Sequence, residues 1–471
     1  MSTTPSGIQT TPPPGPPLQR PSREDFARLI RLAIPVVTVQ VGLMTMGMVD
    51  VIMVGHYSAA DLAATALGNI FVYGITGFSM GVLMALDPLV SQAVGAGDEP
   101  AVARTVQRGM LIAAILSLPT MALLLVMGPL LAWLGQPAEI VPLATAYMSI
   151  SAPGIPAFLA FVVLRQSLQA MGRLGPIVWT IVIANVFNAA LTWVLVFGKF
   201  GASTHGSFGA GLATTIARIG LTVMLLALSW GVFRPLFVPR RKQAFRLDPL
   251  LRTVRIGAPI GGQMILEMGA FSIIALLMGQ LGTAPMAAHQ VAINIASVAF
   301  MVPLGVSSAS SVLVGHGVGA GDAPRARRAA VAGLVTGGGF MLLSAATFVG
   351  VPGLLARIYT SDMTVAVLAA TLIPIAGVFQ VFDGLQVVAL GILRGVGDTR
   401  APMLINVLGF WLIGFPASLA LCFRLGLGAQ GLWWGLVVGL AAVALLLLAR
   451  VRARMGRDLR RLIVEEEHAG A

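Results

Sequence analysis

Residues 94–100 read Val94-Gly95-Ala96-Gly97-Asp98-Glu99-Pro100, and residues 318–324 return almost unchanged as Val318-Gly319-Ala320-Gly321-Asp322-Ala323-Pro324, an offset of 224. The same spacing carries Pro35 onto Pro259, Gly55 onto Gly279 and Ala63-Ala64 onto Ala287-Ala288. Later landmarks agree after small shifts: Gly172 with Gly397, Pro176 with Pro402, and Gly211-Leu212 with Gly431-Leu432. One spacing shared by separated landmarks reads as an internal duplication.

The flanks of these turns are strongly apolar. The 471 residues are 57% hydrophobic and 10% charged, with a mean hydropathy of +0.90. A soluble domain of that length needs far more polar surface. Apolar runs long enough to cross a hydrocarbon core of about 30 Å recur along nearly the whole chain. Twelve spans are expected, at residues 29–54, 62–86, 110–134, 141–164, 176–197, 209–233, 256–281, 286–315, 329–356, 364–393, 402–423 and 427–449. The fold class is therefore an all-α polytopic membrane protein, with two pseudo-symmetric six-helix lobes. The divisions are a disordered cytoplasmic tail over 1–24, an N-lobe over 25–233 and a basic cytoplasmic linker over 234–255. A C-lobe over 256–450 and a basic cytoplasmic tail over 451–471 complete the chain.

A net charge of +12 would suggest nucleic acid in a soluble protein. Here the basic residues alternate by loop, and that reading fails. The N-terminal side carries Arg20, Arg23, Arg28 and Arg31, the linker seven basic residues, and the tail six, from Arg450 to Arg461. Both copies of the Gly-Ala-Gly-Asp turn fall on this basic side. Cytoplasmic loops are the Lys/Arg-rich ones, so both termini are expected in the cytoplasm and the membrane is a bacterial inner membrane. The repeats then share one orientation, related by an axis along the membrane normal. The single cysteine, Cys422, cannot form an intrachain disulfide. The Pro/Thr-rich start lacks the layout of a signal peptide.

Four acids lie in or beside apolar spans: Asp50, Asp87, Glu267 and Asp383. A charged side chain at the bilayer centre costs about 2.5–3.5 kcal/mol on insertion scales, so such acids usually face a polar cavity and take part in function. Gln263, four residues before Glu267, shares its helix face. Phe379 and Gln380 precede Asp383 and Gln386 follows it, a polar and aromatic stripe in an apolar helix. Met264 and Met268 flank Glu267; methionine suits promiscuous apolar surfaces but serves equally as filler. Asn185 and Asn188 on the fifth span, and Gln290 and Asn294 on the eighth, are candidates either to line the cavity or to bond helix to helix. For Asp87, beside Pro88, a helix-end role competes with a functional one. Arg218 inside the sixth span needs a partner or must snorkel.

A carboxyl in a closing cavity can exchange a proton or a metal ion for a cationic passenger. The duplication is asymmetric here, for Asp50 maps to Ile274, Glu267 to Leu43 and Asp383 to about Phe158. Each lobe keeps its own acids.

Several stretches resemble one family. The run Met48-Val49-Asp50-Val51-Ile52-Met53-Val54-Gly55 is similar to the first helix of the multidrug and toxic compound extrusion (MATE) transporters, especially their NorM-like branch. So are Leu83-Met84-Ala85-Leu86-Asp87-Pro88 with Gln92, Ala288-His289-Gln290-Val291-Ala292 with Met301-Val302-Pro303-Leu304, and Asp383-Gly384-Leu385-Gln386 with Leu393-Arg394-Gly395. The resemblance covers about residues 25–450. It implies a V-shaped twelve-helix fold and export of amphipathic organic cations in exchange for Na⁺ or H⁺. It puts ion coupling on Glu267, Asp383 and Asp50, with Glu267 and Asp383 as Na⁺ ligands. The substrate cavity would be lined by Asp50, Gln263, Met264, Phe379, Gln380, Gln386, Asn185 and Asn294. Phe379 stands where Na⁺-coupled relatives often carry Tyr; it keeps the aromatic face that attracts a cation and lacks the hydroxyl. The expected partners are small cationic molecules and the lipid bilayer, with no nucleic acid, for a monomeric antiporter without enzymatic activity or a cofactor beyond its coupling ion.

A lipid-linked precursor flippase of the same broad superfamily is the alternative. It should carry a more basic cavity, whereas three or four acids here face one Arg218. An intramembrane enzyme such as a prenyl transferase would need a metal-binding set such as Asp-x-x-x-Asp or His-Glu-x-x-His in a span, and the spans hold neither.

Overall fold

The computed structural model describes residues 18–133, 135, 137–199 and 206–464. Part of each expected tail, residues 1–17 and 465–471, lies outside the described residues. Among the described residues, twelve helices are long and apolar enough to span a bilayer. In chain order they are α1 Arg23–Tyr57, α2 Ala59–Gly95, α3 Glu99–Leu125, α4 Ile140–Ala170, α5 Gly175–Phe197, α6 Gly206–Leu228, α7 Leu247–Gln280, α8 Thr283–Gly319, α9 Ala323–Gly350, α10 Met363–Gly395, α11 Arg400–Arg424 and α12 Gly428–Met455.

The duplicated turn explains itself as a helix break. Gly97 and Gly321 take φ of 68° and 69°, the left-handed conformation that favours glycine. Asp98 and Asp322 follow as N-caps, each carboxylate accepting a 2.9 Å bond from the backbone N–H three residues on, of Ala101 and Arg325. Pro100 and Pro324 then sit at the helix start, where a missing N–H costs nothing. The motif stops one helix and starts the next twice over, with the same geometry.

Two hydrophobic cores form. One is drawn almost entirely from α2 to α6 with part of α1; the other runs from Ala270 to Leu459. Leu29 and Ala33, at the start of α1, belong to the second core, so α1 ties the lobes together at its basic end.

The lobes converge at that end. A Cβ on Gly95 would strike the His316 carbonyl oxygen, and one on Gly319 would strike that of Gln92. The two Gly-Ala-Gly-Asp turns therefore lie side by side, and the repeats are parallel. Gly257 on α7 meets the Val82 carbonyl on α2 in the same way. His316 Nε2 stands 2.8 Å from the Ala170 carbonyl oxygen across the seam, and Arg328 pairs with Asp25 at 3.2 Å.

Some boundaries differ from the sequence reading. The second span runs on to Gly95 after a turn at Met84 and Ala85. The seventh helix begins at Leu247, inside the segment read as linker, because Arg246 remains extended and Asp248-Pro249 makes a favourable first turn. Helix α11 contains two π-helical stretches, Val407–Gly414 and Ala420–Arg424. After α12 the chain leaves helix at Met455 and crosses the basic end toward the other lobe.

Candidate functional site

Glu267 and Asp383 meet in the C-lobe. They line one pocket of about 190 Å³ with Phe271, Ile293, Ala296, Ser297, Phe300 and Phe379. Three helices build it. α7 supplies Glu267 and Phe271, four residues apart on one face; α10 supplies Phe379 and Asp383 at the same spacing; α8 closes the third side. The two carboxyls are within electrostatic reach of one another. Gln386 Nε2, one turn past Asp383, donates to Glu267 Oε1 at 3.2 Å, and Gln263 faces the same carboxyl from the preceding turn of α7. Gln386 Oε1 is buried without a partner, an acceptor suited to a cation. Phe379 is held edge-on between Phe271 at 6.0 Å and Trp433 at 5.8 Å.

Asp50 lies apart, in the N-lobe. Asn188 Nδ2 and Thr192 Oγ1 each donate to its Oδ1 at 2.8 Å. Both donors are one turn apart on α5 and fully buried. Thr192 escaped the sequence reading, although its place four residues after Asn188 put it on the same face. Arg218 does not clamp this acid. Its guanidinium lies 5.2 Å over the Phe158 ring, with Nη1 3.5 Å from the Ser151 carbonyl oxygen, so the cation is met by a π face and a carbonyl.

The remaining candidates divide. Gln380 is wholly buried and turned away from the pocket: its Nε2 donates to the Ala296 carbonyl at 2.8 Å and its Oε1 accepts from Ser344 Oγ at 2.7 Å. Three residues before Asp383 places it to one side of that acid, against α8 and α9. Asn185 donates to the carbonyls of Gly42 and Ile181 at 3.0 and 2.9 Å, fastening α5 to α1. Among the described residues, α8 reaches the pocket through Ile293, Ala296, Ser297 and Phe300 rather than Asn294, which is half-buried. Met264 is half-buried as well. His289 is buried against Trp433 at 5.6 Å.

The sequence model of the MatE family matches the chain twice, over residues 35–194 and 259–419. The chain belongs to the MatE family. The two matches start at the prolines that the duplication pairs, Pro35 and Pro259, so each lobe is one MatE unit. A probable multidrug resistance protein NorM from Bradyrhizobium diazoefficiens is 38% identical over 443 residues, covering 91% of this chain and 93% of its own. The multidrug resistance protein NorM of Photobacterium profundum is 34% identical over 446 residues, covering 91% and 96%. Among solved structures, the eukaryotic MATE transporter AtDTX14 superposes with a TM-score of 0.81 at 24% identity, covering 93% of this chain and 98% of that one. An outward-facing multidrug resistance MATE transporter of the MOP superfamily gives 0.82 at 17% identity, covering 95% and 99%. At those identities the superpositions establish the MATE fold alone. The MatE chain is thus a twelve-helix membrane transporter.

Proposed function

We propose that this MatE protein exports amphipathic organic cations across the bacterial inner membrane as an antiporter driven by Na⁺ or H⁺, its basic end and both termini in the cytoplasm. One observation carries the reading: Glu267 and Asp383 share a small apolar pocket among the described residues with no basic side chain lining it. Like charges in a desolvated site disfavour double ionisation, so the pair readily takes up one positive species. A proton satisfies it, and so does Na⁺ held by the two carboxyls and the unpartnered Gln386 Oε1. Occupancy by the coupling ion removes the charge that attracts a cationic passenger, and alternating exposure of the pocket to the two sides converts this competition into exchange. Phe379 and Phe271 offer ring faces and edges to an amphipathic cation. Asp50, in the other lobe, is a second anionic contact for it. The NorM names of the relatives support drug-like passengers. The protein works as a monomer.

The test is ethidium transport in proteoliposomes with an imposed Na⁺ or pH gradient. The wild type should respond to one or both gradients, and Glu267→Gln and Asp383→Asn should respond to neither while inserting normally. Full gradient response in both variants would remove the coupling role from this pair. Anionic lipid-linked substrates moving where ethidium does not would favour the flippase instead.

A further inference from the structure

A third buried charge system lies outside the lining of the Glu267–Asp383 pocket, where the lobes meet at the basic end, although its cation also acts on Glu267. Asp87, on the second segment of α2, is 1% exposed, and Arg394, near the end of α10, is 12% exposed. They belong to different lobes, and Arg394 Nη1 stands 3.7 Å from Asp87 Oδ2. That separation is an ion pair but too long for a hydrogen bond, and both Asp87 oxygens are buried without a hydrogen-bond partner. Arg394 Nη1 also lies 3.9 Å from Met84 Sδ. Arg165, the other cation that acts on Asp87, spends Nη1 on Gln40 Oε1 at 3.0 Å. Five residues past Asp87, Gln92 bridges the same seam: its Nε2 donates to the Gly395 carbonyl at 2.9 Å and its Oε1 accepts from Leu462 N–H at 2.7 Å.

We infer that Asp87 and Arg394 form an inter-lobe latch that holds the cytoplasmic side of the transporter shut, and that parting this pair is the step that opens the cleft to the cytoplasm. The inference rests on the orientation given under the proposed function. A buried ion pair offsets its desolvation only when geometry is excellent and the spare lone pairs are hydrogen-bonded. This pair meets neither condition, so it closes the seam without locking it, and water admitted on opening solvates both ends. Removing one member alone leaves the other charge buried without its nearest counter-charge, Asp87 with only the field of Arg165 and Arg394 with only that of Glu267, which penalises the closed state. Removing both leaves a neutral contact that can close again. These are positioning residues, for neither lines the Glu267–Asp383 pocket.

The reporter is Ser91, fully buried beside Gly315 on the seam. A Ser91→Cys variant in a Cys422→Ser background has one thiol at the closure, since Cys422 is the chain's single cysteine. Inside-out vesicles are treated with a membrane-impermeant maleimide and the labelling rate is read. Asp87→Asn and Arg394→Gln should each raise the rate about tenfold or more, and the double variant should return it toward the parent value, the non-additivity of a shared contact. A residue that only supported folding would give additive losses. Parental labelling in either single variant, or a double variant as fast as the singles, overturns the latch. If a charge variant fails to insert, Gln92→Ala carries the test: faster labelling supports the closure and an unchanged rate overturns it. The readout needs no substrate or gradient, so a failed ethidium assay with these labelling changes would sink the export reading and leave the latch standing.

Discussion

The two lobes are copies of one MatE unit, yet they treat their buried acids in opposite ways. In the N-lobe, Asp50 is met by two neutral donors at 2.8 Å from a single helix. In the C-lobe, Glu267 and Asp383 share an aromatic pocket, and the amides of Gln386, at 3.2 Å, and Gln263 both address Glu267 rather than Asp383. A carboxylate that already has its hydrogen bonds is content to stay as it is; a pair facing one another is not. Duplication therefore supplied two related frames, and divergence left one acid satisfied by neutral donors and the other two sharing a pocket, which is the contrast the proposed exchange builds on.

That contrast can be broken by experiment. The largest effect belongs to the C-lobe. Asp383→Asn should reduce gradient-driven ethidium efflux by about 100-fold or more, since a buried cation that loses its counter-charge is penalised by about 3–5 kcal/mol. Asp50→Asn keeps both donors in place opposite an amide oxygen and gives up mainly the charge assistance of two bonds, a loss nearer tenfold. Efflux measured side by side decides it: equal losses would mean that the lobes share the task rather than divide it.

A smaller effect separates packing from exchange within α10. Gln380→Ala strips partners from the Ala296 carbonyl and Ser344 Oγ, a cost of about 1–3 kcal/mol. It should lower the melting temperature in detergent and leave the choice of driving ion untouched. A changed ion preference would return Gln380 to the pocket.

The smallest effect lies at the basic end. Burial alone would push the Asp98 carboxyl up, but bonds from Arg461 and from the Ala101 N–H outweigh it and hold the group below the ordinary carboxylate range. A carboxyl depressed on folding stabilises above its unfolded value and loses that contribution as pH falls through the folded one. The bond from Arg461 should therefore survive at neutral pH and fail only in strong acid. Because the pair is part-exposed, Arg461→Ala should alter protease access to the tail only slightly. A large change near pH 7 would show that other groups control the tail.

Nearly all of the architecture could be read from the chain. Span length, loop charge and the repeated Gly-Ala-Gly-Asp turn are local signals, and bilayer physics leaves helices as the main answer to them. Burial cost drew attention to four acids, Asp50, Asp87, Glu267 and Asp383, and the family resemblance gave three of them their expected roles. What stayed hidden depends on helix rotation and on contacts between lobes. Gln380 and Asn185 are polar residues in apolar spans just as Gln386 and Asn188 are, and only the neighbouring helices decide which amide reaches an acid and which fastens a backbone carbonyl. Thr192 was unremarkable because a threonine can bond within its own helix. The pairing of Asp87 with Arg394 spans more than half the chain, and no periodicity links them.

The glycine seam has a steric consequence. Where Gly95, Gly257 and Gly319 let backbone touch backbone, the halves meet like two smooth plates, pinned around the contact by a few long polar side chains. A single added methyl at Gly319, aimed at the Gln92 carbonyl, would act as a grain of sand between the plates.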